Sequence, residues 1–191
     1  REHLLGQLVA TETEDGKLDD EELLSFCRLL LIAGNETTTG LITASARIFH
    51  EQPETLARLK AQPELASSFV EEALRFYSPF SATVRRTTKS VEIAGQTIAA
   101  GELVVPLIAS ANRDERVFDA ADTFQIDRSP NQHLGLGFGI HVCLGAHLAR
   151  LEGKIVAEQM AERYSSVMLT EPKTATVGEL GGPKQLNVVV S

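Results

Sequence analysis

The sequence has 191 residues, of which 26 are acidic and 18 basic, giving a formal net charge of −8. This balance argues against nucleic-acid binding, which needs clustered Lys and Arg. The longest apolar run, Leu29–Ala33, is too short to cross a membrane. Cys27 and Cys143 stand in unrelated contexts, so we predict no disulfide framework and a reducing, cytoplasmic location. Because Arg1 replaces a starting Met, we expect the sequence to be part of a longer chain.

A long helix is predicted over residues 19–51. Acidic residues fill its first turn, where the helix dipole favours negative charge, apolar residues follow at helical spacing, and Pro53 ends the pattern. Glycines and threonines, which are weak helix formers, interrupt the apolar stripe within 33–40. Because Leu31 and Ile32 precede this interruption and further apolar residues follow it, we expect the helix to be buried on both sides. A functional groove is therefore favoured over a weak stretch that faces solvent.

The rest of the chain mixes helices with short strands. In chain order we predict a helix over 63–77, strands within 83–107, an aperiodic segment over 113–135 (the meander), a glycine-rich cysteine loop over 136–145, a helix over 144–164 and terminal strands within 168–191. An aperiodic segment as long as the meander is usually functional in a compact domain. Together these elements predict a mainly α fold with small β-sheets, in the α+β class.

The cysteine loop is the most informative segment. Gly135, Gly137 and Gly139 alternate along it and allow the backbone to fold tightly against a bulky group. Cys143 stands just before a predicted helix, where N–H groups and the helix dipole stabilise a thiolate. Such a thiolate is suited to be a metal ligand or a nucleophile.

Several alternative interpretations apply to the same loop. A buried structural cysteine is common, but it leaves the glycines unexplained. A dinucleotide-binding loop would need glycine where Ile140 stands. A zinc site would need further ligands at suitable spacing. A nucleophilic Cys143 with His141 or His147 as its base remains open at this point.

Residues 136–145 resemble the cysteine-ligand loop of the cytochromes P450, whose pattern is Phe-Gly-x-Gly-x-His/Arg-x-Cys-x-Gly. Leu136 stands where that family usually has Phe, and the other defined positions match, namely Gly137, Gly139, His141, Cys143 and Gly145. The resemblance implies that Cys143 binds the iron of haem b and that His141 reaches a haem propionate. Gly137 and Gly139 would then let the loop approach the cofactor.

The interruption in the first long helix resembles the family's Ala-Gly-x-Asp/Glu-Thr-Thr segment. The resemblance implies that Gly34 opens space beside the haem, that Thr37 hydrogen-bonds dioxygen or a water, and that Glu36 relays protons. Oxygen activation requires both a proton supply and electron donation by the thiolate. On this view Glu36 and Thr37 are the catalytic residues.

Glu72 and Arg75 are three residues apart on a predicted helix, a spacing that is also common in surface ion pairs. Their position between the threonine-rich helix and the cysteine loop resembles the family's Glu-x-x-Arg helix. The resemblance implies a buried ion network that fixes the loop, with Arg128 of the meander as its third member.

The predicted strands supply further candidates. By resemblance, Arg85 binds a haem propionate, with Arg86 as the neighbouring alternative, because a slip of one residue in register exchanges the two. The substrate would be small and apolar, and the resemblance implies a set of residues that face it, namely Ala33, Phe80, Ala82, Thr83, Val84 and Leu180.

The motifs follow the family's order along nearly the whole sequence. They imply the carboxy-terminal half of a soluble, bacterial-type member, whose reaction is monooxygenation with electrons from a ferredoxin- or flavodoxin-type partner. Two alternatives are a truncated, non-catalytic helper chain and a peroxide-driven haem-thiolate enzyme, although Glu36 and Thr37 argue against the latter. Without an amino-terminal half, we expect the chain to self-associate or to pair with that half.

Overall fold

The computed structural model describes residues 3–10, 12–13, 16–170 and 186–191. Contacts divide the chain into two units, residues 1–36 and 37–191, and each is described by itself. The first unit contains α1 (Leu4–Ala10) and an antiparallel pairing of β1 (Glu12–Thr13) with β2 (Gly16–Lys17). It also contains the beginning of α2 (Asp20–Glu51), a continuous helix that runs into the second unit.

Local sequence determines both ends of α2. At its start, Asp19 Oδ1 accepts a hydrogen bond from the Glu22 N–H at 2.8 Å, and Glu22 Oε2 accepts one from the Asp19 N–H at 3.0 Å. This reciprocal capping box satisfies N–H groups that a helix start leaves without helical partners. After the helix ends, Pro53 begins α3 (Pro53–Ala61), as proline does readily at a first helical position.

The middle of α2 differs from the expectation in its burial. The helix continues without a break through 33–40, so the apolar stripe is interrupted but the backbone is not. Leu31 is 74% exposed and Ile32 63%, whereas Leu41 is only 1% exposed. The expectation of burial on both sides is therefore wrong for Leu31 and Ile32. Helical spacing identifies an apolar face but not the partner that covers it, and the described residues leave this part of the face uncovered.

The core of the second unit is built around α4 (Ala66–Tyr77). A 3-10 turn, Pro63–Leu65, precedes this helix, so the predicted helix over 63–77 consists of two segments. Phe69 on α4 stacks on Phe49 with 5.0 Å between ring centroids and meets Phe124 edge-on at 5.7 Å. Such aromatic contacts add to the free energy gained by burying apolar area. They attach α2 and the meander to the same face of α4.

The last helix, α6 (Ala146–Arg163), approaches its neighbours closely at Gly153. A Cβ atom at this position would lie 2.8 Å from Leu41 Cδ2 and 3.1 Å from Val70 Cγ2. The first of these separations is a steric overlap, so the close approach depends on a residue without a side chain. The helix that follows Cys143 is thereby packed directly on α2 and α4.

The described strands of the second unit form short antiparallel pairs, namely β3 (Arg85–Arg86) with β6 (Leu103–Val104), β4 (Val91–Ile93) with β5 (Gln96–Ile98), and β7 (Val167–Leu169) with β8 (Val188–Val190). Ala94 and Gly95 join β4 to β5 with φ angles of 50° and 77°. Positive φ at both positions is what a two-residue hairpin turn of this kind requires. Residues 171–185, which include the candidate Leu180, lie outside the described residues.

After β6, the short helix α5 (Ile108–Ala111) leads into the irregular meander and the cysteine loop. None of the helices within the described residues is long and apolar enough to cross a membrane. The described elements are mainly helical and carry only small β-sheets. This architecture confirms the predicted fold class.

Candidate functional site

The structure brings Glu72, Arg75 and Arg128 together in a buried ion network. Arg75 donates from Nε and Nη2 to the two carboxylate oxygens of Glu72, each at 2.8 Å, and neither side chain is exposed to solvent. Arg128 Nε approaches the same carboxylate at 3.0 Å. A bidentate guanidinium–carboxylate pair is the strong form of this interaction, and removing one member of a buried pair leaves an uncompensated charge.

The network is tied to the backbone of the meander. The remaining donors of Arg75 reach the carbonyl oxygens of Asn112, Ala121 and Thr123 at 2.8, 2.7 and 3.0 Å. Arg128 Nη1 donates to the carbonyl oxygen of Asp119 at 2.7 Å. The buried guanidinium of Arg75 is therefore fully hydrogen-bonded, and an irregular segment is held without regular secondary structure.

Sequence reasoning missed three further members of this network. The side chain of Asn112 donates to Ser78 Oγ at 2.8 Å and accepts the N–H of Leu134 at 2.7 Å. Asn131 Nδ2 and the Gln125 N–H both donate to Glu72, at 3.0 and 2.9 Å. Asn112 directly follows the short helix α5, and Gln125 and Asn131 lie in the aperiodic meander, so no spacing signal distinguishes these residues from ordinary loop residues.

The cysteine loop folds back on itself directly after this network. The Cys143 N–H donates to the Leu136 carbonyl oxygen at 2.8 Å, and the Gly137 N–H donates to that of Leu134 at 2.9 Å. Gly137 has φ +75°, and a Cβ there would lie 2.7 Å from the His141 carbonyl oxygen. The tight return that presents Cys143 therefore requires glycine at 137.

The outer face of the loop is apolar and exposed. The Cys143 thiol is exposed and does not form a disulfide. Large apolar side chains flank it along the loop, including Phe138 at 84% and Ile140 at 96% exposure, with Val142 and Leu144 also exposed. An accessible thiol among exposed apolar side chains fits a flat apolar cofactor whose metal takes a thiolate ligand. These residues therefore fit a haem.

The candidates on α2 occupy consecutive turns of one helix. Ala33 and Gly34 are exposed, and Glu36 and Thr37 are partly buried. Apart from its chain neighbours and the backbone of its own helix, none of the described residues has a heavy atom within 4 Å of where a Cβ at Gly34 would stand. Next to them, Thr38 Oγ1 donates to Glu152 Oε2 on α6 at 3.1 Å. This hydrogen bond connects α2 to the helix that follows Cys143.

Arg85 and Arg86 differ in what they contact. In the β3–β6 pairing, Arg85 lies opposite Val104 and Arg86 opposite Leu103. Arg85 donates to Thr83 Oγ1 and to the Val84 carbonyl oxygen, both at 2.9 Å, whereas Arg86 reaches across the strand pair to the carbonyl oxygen of Gly101. Since consecutive strand residues point to opposite faces, only one of the two can serve a ligand on a given face.

The other candidates lie at different depths in the structure. Phe80, Ala82 and Thr83 are partly buried after α4, and Val84 is 57% exposed. His141 is exposed and ends the 3-10 turn Gly139–His141 of the cysteine loop. The segment from 80 to 84 is anchored at the beginning of α5, because the Ala109 N–H donates to the Ser81 carbonyl oxygen and the Thr83 N–H to that of Pro106, just before the helix.

Comparison with known proteins identifies the family. The family model for cytochrome P450 matches residues 47–186. The biotin biosynthesis cytochrome P450 of Bacillus subtilis is 45% identical over 158 residues, which are 83% of this chain and 40% of that protein. The structure of cytochrome P450 CYP109Q5 from Chondromyces apiculatus superposes with a TM-score of 0.94 at 40% identity, over 100% of this chain and 50% of that chain.

A third similar protein has been solved with a ligand. CYP109E1 from Bacillus megaterium, in complex with testosterone, gives a TM-score of 0.88 at 41% identity over 96% of this chain and 52% of that chain. The chain thus spans about half the length of the relatives it matches, or less. The sequence motifs, the fold and these matches agree, and the chain belongs to the cytochrome P450 family.

Proposed function

We propose that this chain is the haem-binding part of a haem-thiolate monooxygenase, with Cys143 as the iron ligand. The observation that carries this proposal is the exposed Cys143 thiol on a tightly folded loop that directly follows the meander held by the buried Glu72 network. Bound haem b would supply the iron at which dioxygen is reduced and from which one oxygen atom enters the substrate. The protein's own contribution is to hold the thiolate, the propionates, protons and substrate in place.

On the side of the thiolate, the glycines and charges have separate roles. Gly137 and Gly139 let the loop backbone come close to the porphyrin, because neither carries a side chain. His141 and Arg85 would bind the propionates, with Arg85 favoured over Arg86 because the latter already reaches the Gly101 turn. Arg85 bonds to the neighbouring Thr83 and Val84, and those contacts can be exchanged for a carboxylate.

On α2, Gly34 would leave room beside the cofactor, and Glu36 and Thr37 would handle protons. A carboxylic acid can take a proton from solvent and release it, and an adjacent hydroxyl can both donate and accept hydrogen bonds. Their partly buried position on one continuous helix supports this role. Such a pair delivers protons without requiring the side chains to move far.

The proposed substrate is small and apolar. The relative from Bacillus megaterium binds testosterone, a largely apolar molecule, and the candidate contacts in this chain are mostly apolar, namely Ala33, Phe80, Ala82, Thr83, Val84 and Leu180. Electrons would come from a ferredoxin- or flavodoxin-type partner in the cytoplasm, where free cysteines such as Cys27 stay reduced.

The exposed apolar surface favours a further proposal about assembly. Leu31, Ile32 and Ile140 are 74%, 63% and 96% exposed, and exposed large apolar side chains that group together mark interaction surfaces. We propose that the chain by itself binds haem weakly or not at all and self-associates, and that it acts as an enzyme only when combined with an amino-terminal half. Without such a half it would be a non-catalytic chain.

A chimaera tests the function directly. This chain would replace the matching carboxy-terminal part of the Bacillus subtilis relative, and the product would be reduced and exposed to carbon monoxide. We expect the red-shifted Soret band of a thiolate-ligated haem, its loss in Cys143→His and its retention in Cys27→Ser. A red-shifted band that persists in Cys143→His contradicts the ligand assignment, and its absence from the unmutated chimaera contradicts the proposed function.

A further inference from the structure

Next to the Glu72 network lies a second cluster that has no role in the function proposed above. It consists of Glu71 on α4, His133 just before the cysteine loop and Arg150 on α6. Glu71 accepts hydrogen bonds from Arg150 Nε at 2.7 Å and Nη2 at 3.1 Å, and its Oε2 lies 3.1 Å from His133 Nε2. One carboxylate on α4 thus contacts residues on both sides of the loop 136–145.

The contact on the amino-terminal side of the loop runs through the imidazole of His133. Its Nδ1 accepts the N–H of Gly135 at 3.0 Å, so the ring hydrogen is on Nε2 and is donated to Glu71. Gly135 also lies tightly against α4, because a Cβ there would be 2.8 Å from the Leu74 carbonyl oxygen. The segment that enters the loop is therefore anchored to α4 by its backbone and by a side chain.

The contact on the carboxy-terminal side is a bidentate ion pair. Burial disfavours the ionised form of Glu71, but hydrogen bonds from His133 and Arg150 outweigh this effect and hold the pKa of the carboxyl at about 2. The pKa of Arg150 is raised, mainly by its hydrogen bond with Glu71. Arg150 stands seven residues after Cys143, on the helix α6 that follows the loop.

We propose that Glu71 is a positioning residue, which clamps both ends of the cysteine loop onto α4 through His133 and Arg150 and so fixes the location of Cys143. The adjacent acid Glu72 has different partners, which lie in α4 and the meander. Glu72 thus binds meander residues as far as Asn131, whereas Glu71 binds His133 at the end of the meander and Arg150 on α6. This inference rests on the proposed function only for the identity of the ligand that the loop binds. The clamp itself acts on this chain whether or not haem is bound.

Hydrogen–deuterium exchange of the 191-residue chain tests the clamp without a cofactor. Glu71→Gln keeps the size of the side chain and removes its charge. We expect the amides of both flanks, 133–137 and 143–150, to exchange roughly ten- to hundredfold faster, as follows from losing hydrogen bonds to a charged group. Arg150→Gln should accelerate only the second flank, and His133→Asn only the first.

The matched control is Glu158→Gln. It removes the same charge from a more exposed pair with Lys154 on α6, whose atoms are 3.7 Å apart, and should change flank exchange by less than about twofold. Equal flank exchange in Glu71→Gln and Glu158→Gln would overturn the proposal. Acceleration spread equally over α4 would also overturn it, because that pattern indicates general destabilisation and not a local clamp.

A spectroscopic measurement separates positioning from mere stability. In the haem-loaded chimaera, Glu71→Gln should lower the fraction of the ferrous–carbon monoxide complex that shows the thiolate-ligated Soret band, while Glu158→Gln leaves it unchanged. An unchanged fraction in Glu71→Gln contradicts the effect on Cys143. If the unmutated chimaera shows no such band, the proposed function fails, and the exchange measurements alone decide on the clamp.

Discussion

The buried network around Glu72 and the cysteine loop lie next to each other but are built in opposite ways. In the network, Glu72 and Arg75 are completely buried, and the donors of Arg75 are all used. In the loop, the thiol and several large apolar side chains remain exposed. The difference indicates that the position of the candidate site is determined by residues outside it. On the proposed function the exposed loop would carry the chemistry, and the buried charges hold the meander that leads into it.

The largest expected effect comes from breaking the buried network. Arg75→Met should lower the free energy of unfolding by about 3–5 kcal/mol, because it leaves Glu72 only partly compensated and removes the Arg75 donor from the carbonyl oxygens of Asn112 and Ala121. Urea denaturation measures this change. Arg58→Gln is the matched control, since its pair with Asp127 has the same 2.8 Å separation but is exposed, and we expect little measurable loss. Similar losses in both variants would contradict the importance of burial.

A smaller effect is expected from two glycines of the loop. Gly137 and Gly139 both have positive φ, +75° and +65°, but only at Gly137 would a Cβ collide, with the His141 carbonyl oxygen. Gly139→Ala should therefore cost about 1–2 kcal/mol for the left-handed backbone alone. Gly137→Ala should cost more and should also weaken haem binding by the chimaera. Denaturation and haem titration compare the two, and equal costs would show that the loop can relax around an added methyl group.

Exposed apolar residues should affect association more than folding. Leu31→Gln removes a side chain that is 74% exposed. It should raise the concentration needed for self-association by up to roughly tenfold, as the transfer free energy of a leucine suggests, with little change in unfolding. Light scattering at several concentrations measures this. Leu41→Gln makes the same chemical change at a buried position and should instead destabilise the fold. If Leu31→Gln lowered the free energy of unfolding more than Leu41→Gln does, the assigned faces of α2 would be contradicted.

The smallest effect concerns acid stability. The pKa of Glu71 falls from an ordinary 4.5 to about 2 in the folded chain. The stabilisation from its ionised form is therefore present above pH 4.5 and is lost as the pH falls towards 2. We expect the free energy of unfolding to fall less steeply over this interval in Glu71→Gln than in the unmutated chain. Urea titrations at several pH values measure the slopes, and parallel slopes would contradict the ion pair.

The sequence could predict the elements that local chemistry determines. The acidic start of α2, Pro53 after its end and the glycines around Cys143 act within a few residues, so they can be identified without a structure. The mixture of predicted helices and short strands indicates the fold class, and the family is implied by the resemblance of the motifs. The spacing of Glu72 and Arg75 is common on helix surfaces, so the resemblance to the family pattern was needed to single them out and to add Arg128.

The remaining features depend on contacts between distant segments. Glu71 and Arg150 are 79 residues apart, and His133 has no motif around it that points to either. Asn112 joins Ser78 to Leu134 from a segment without periodicity. The exposure of Leu31 could not be predicted for the same reason, since helical spacing indicates an apolar face but not what lies against it. Contacts between distant segments can be identified only from the three-dimensional structure.

The glycine at the helix crossing has a consequence for anyone who would redesign this protein. Gly153 lies inside α6, where glycine is about 1 kcal/mol less favourable than alanine in intrinsic helix propensity. A redesign guided by propensity alone would therefore replace this glycine with alanine at an early stage. The 2.8 Å approach to Leu41 Cδ2 reverses that ranking, because the gain in local preference is smaller than the strain of separating two packed helices. Stabilising changes should therefore be sought on the solvent side of α6, where propensity alone decides.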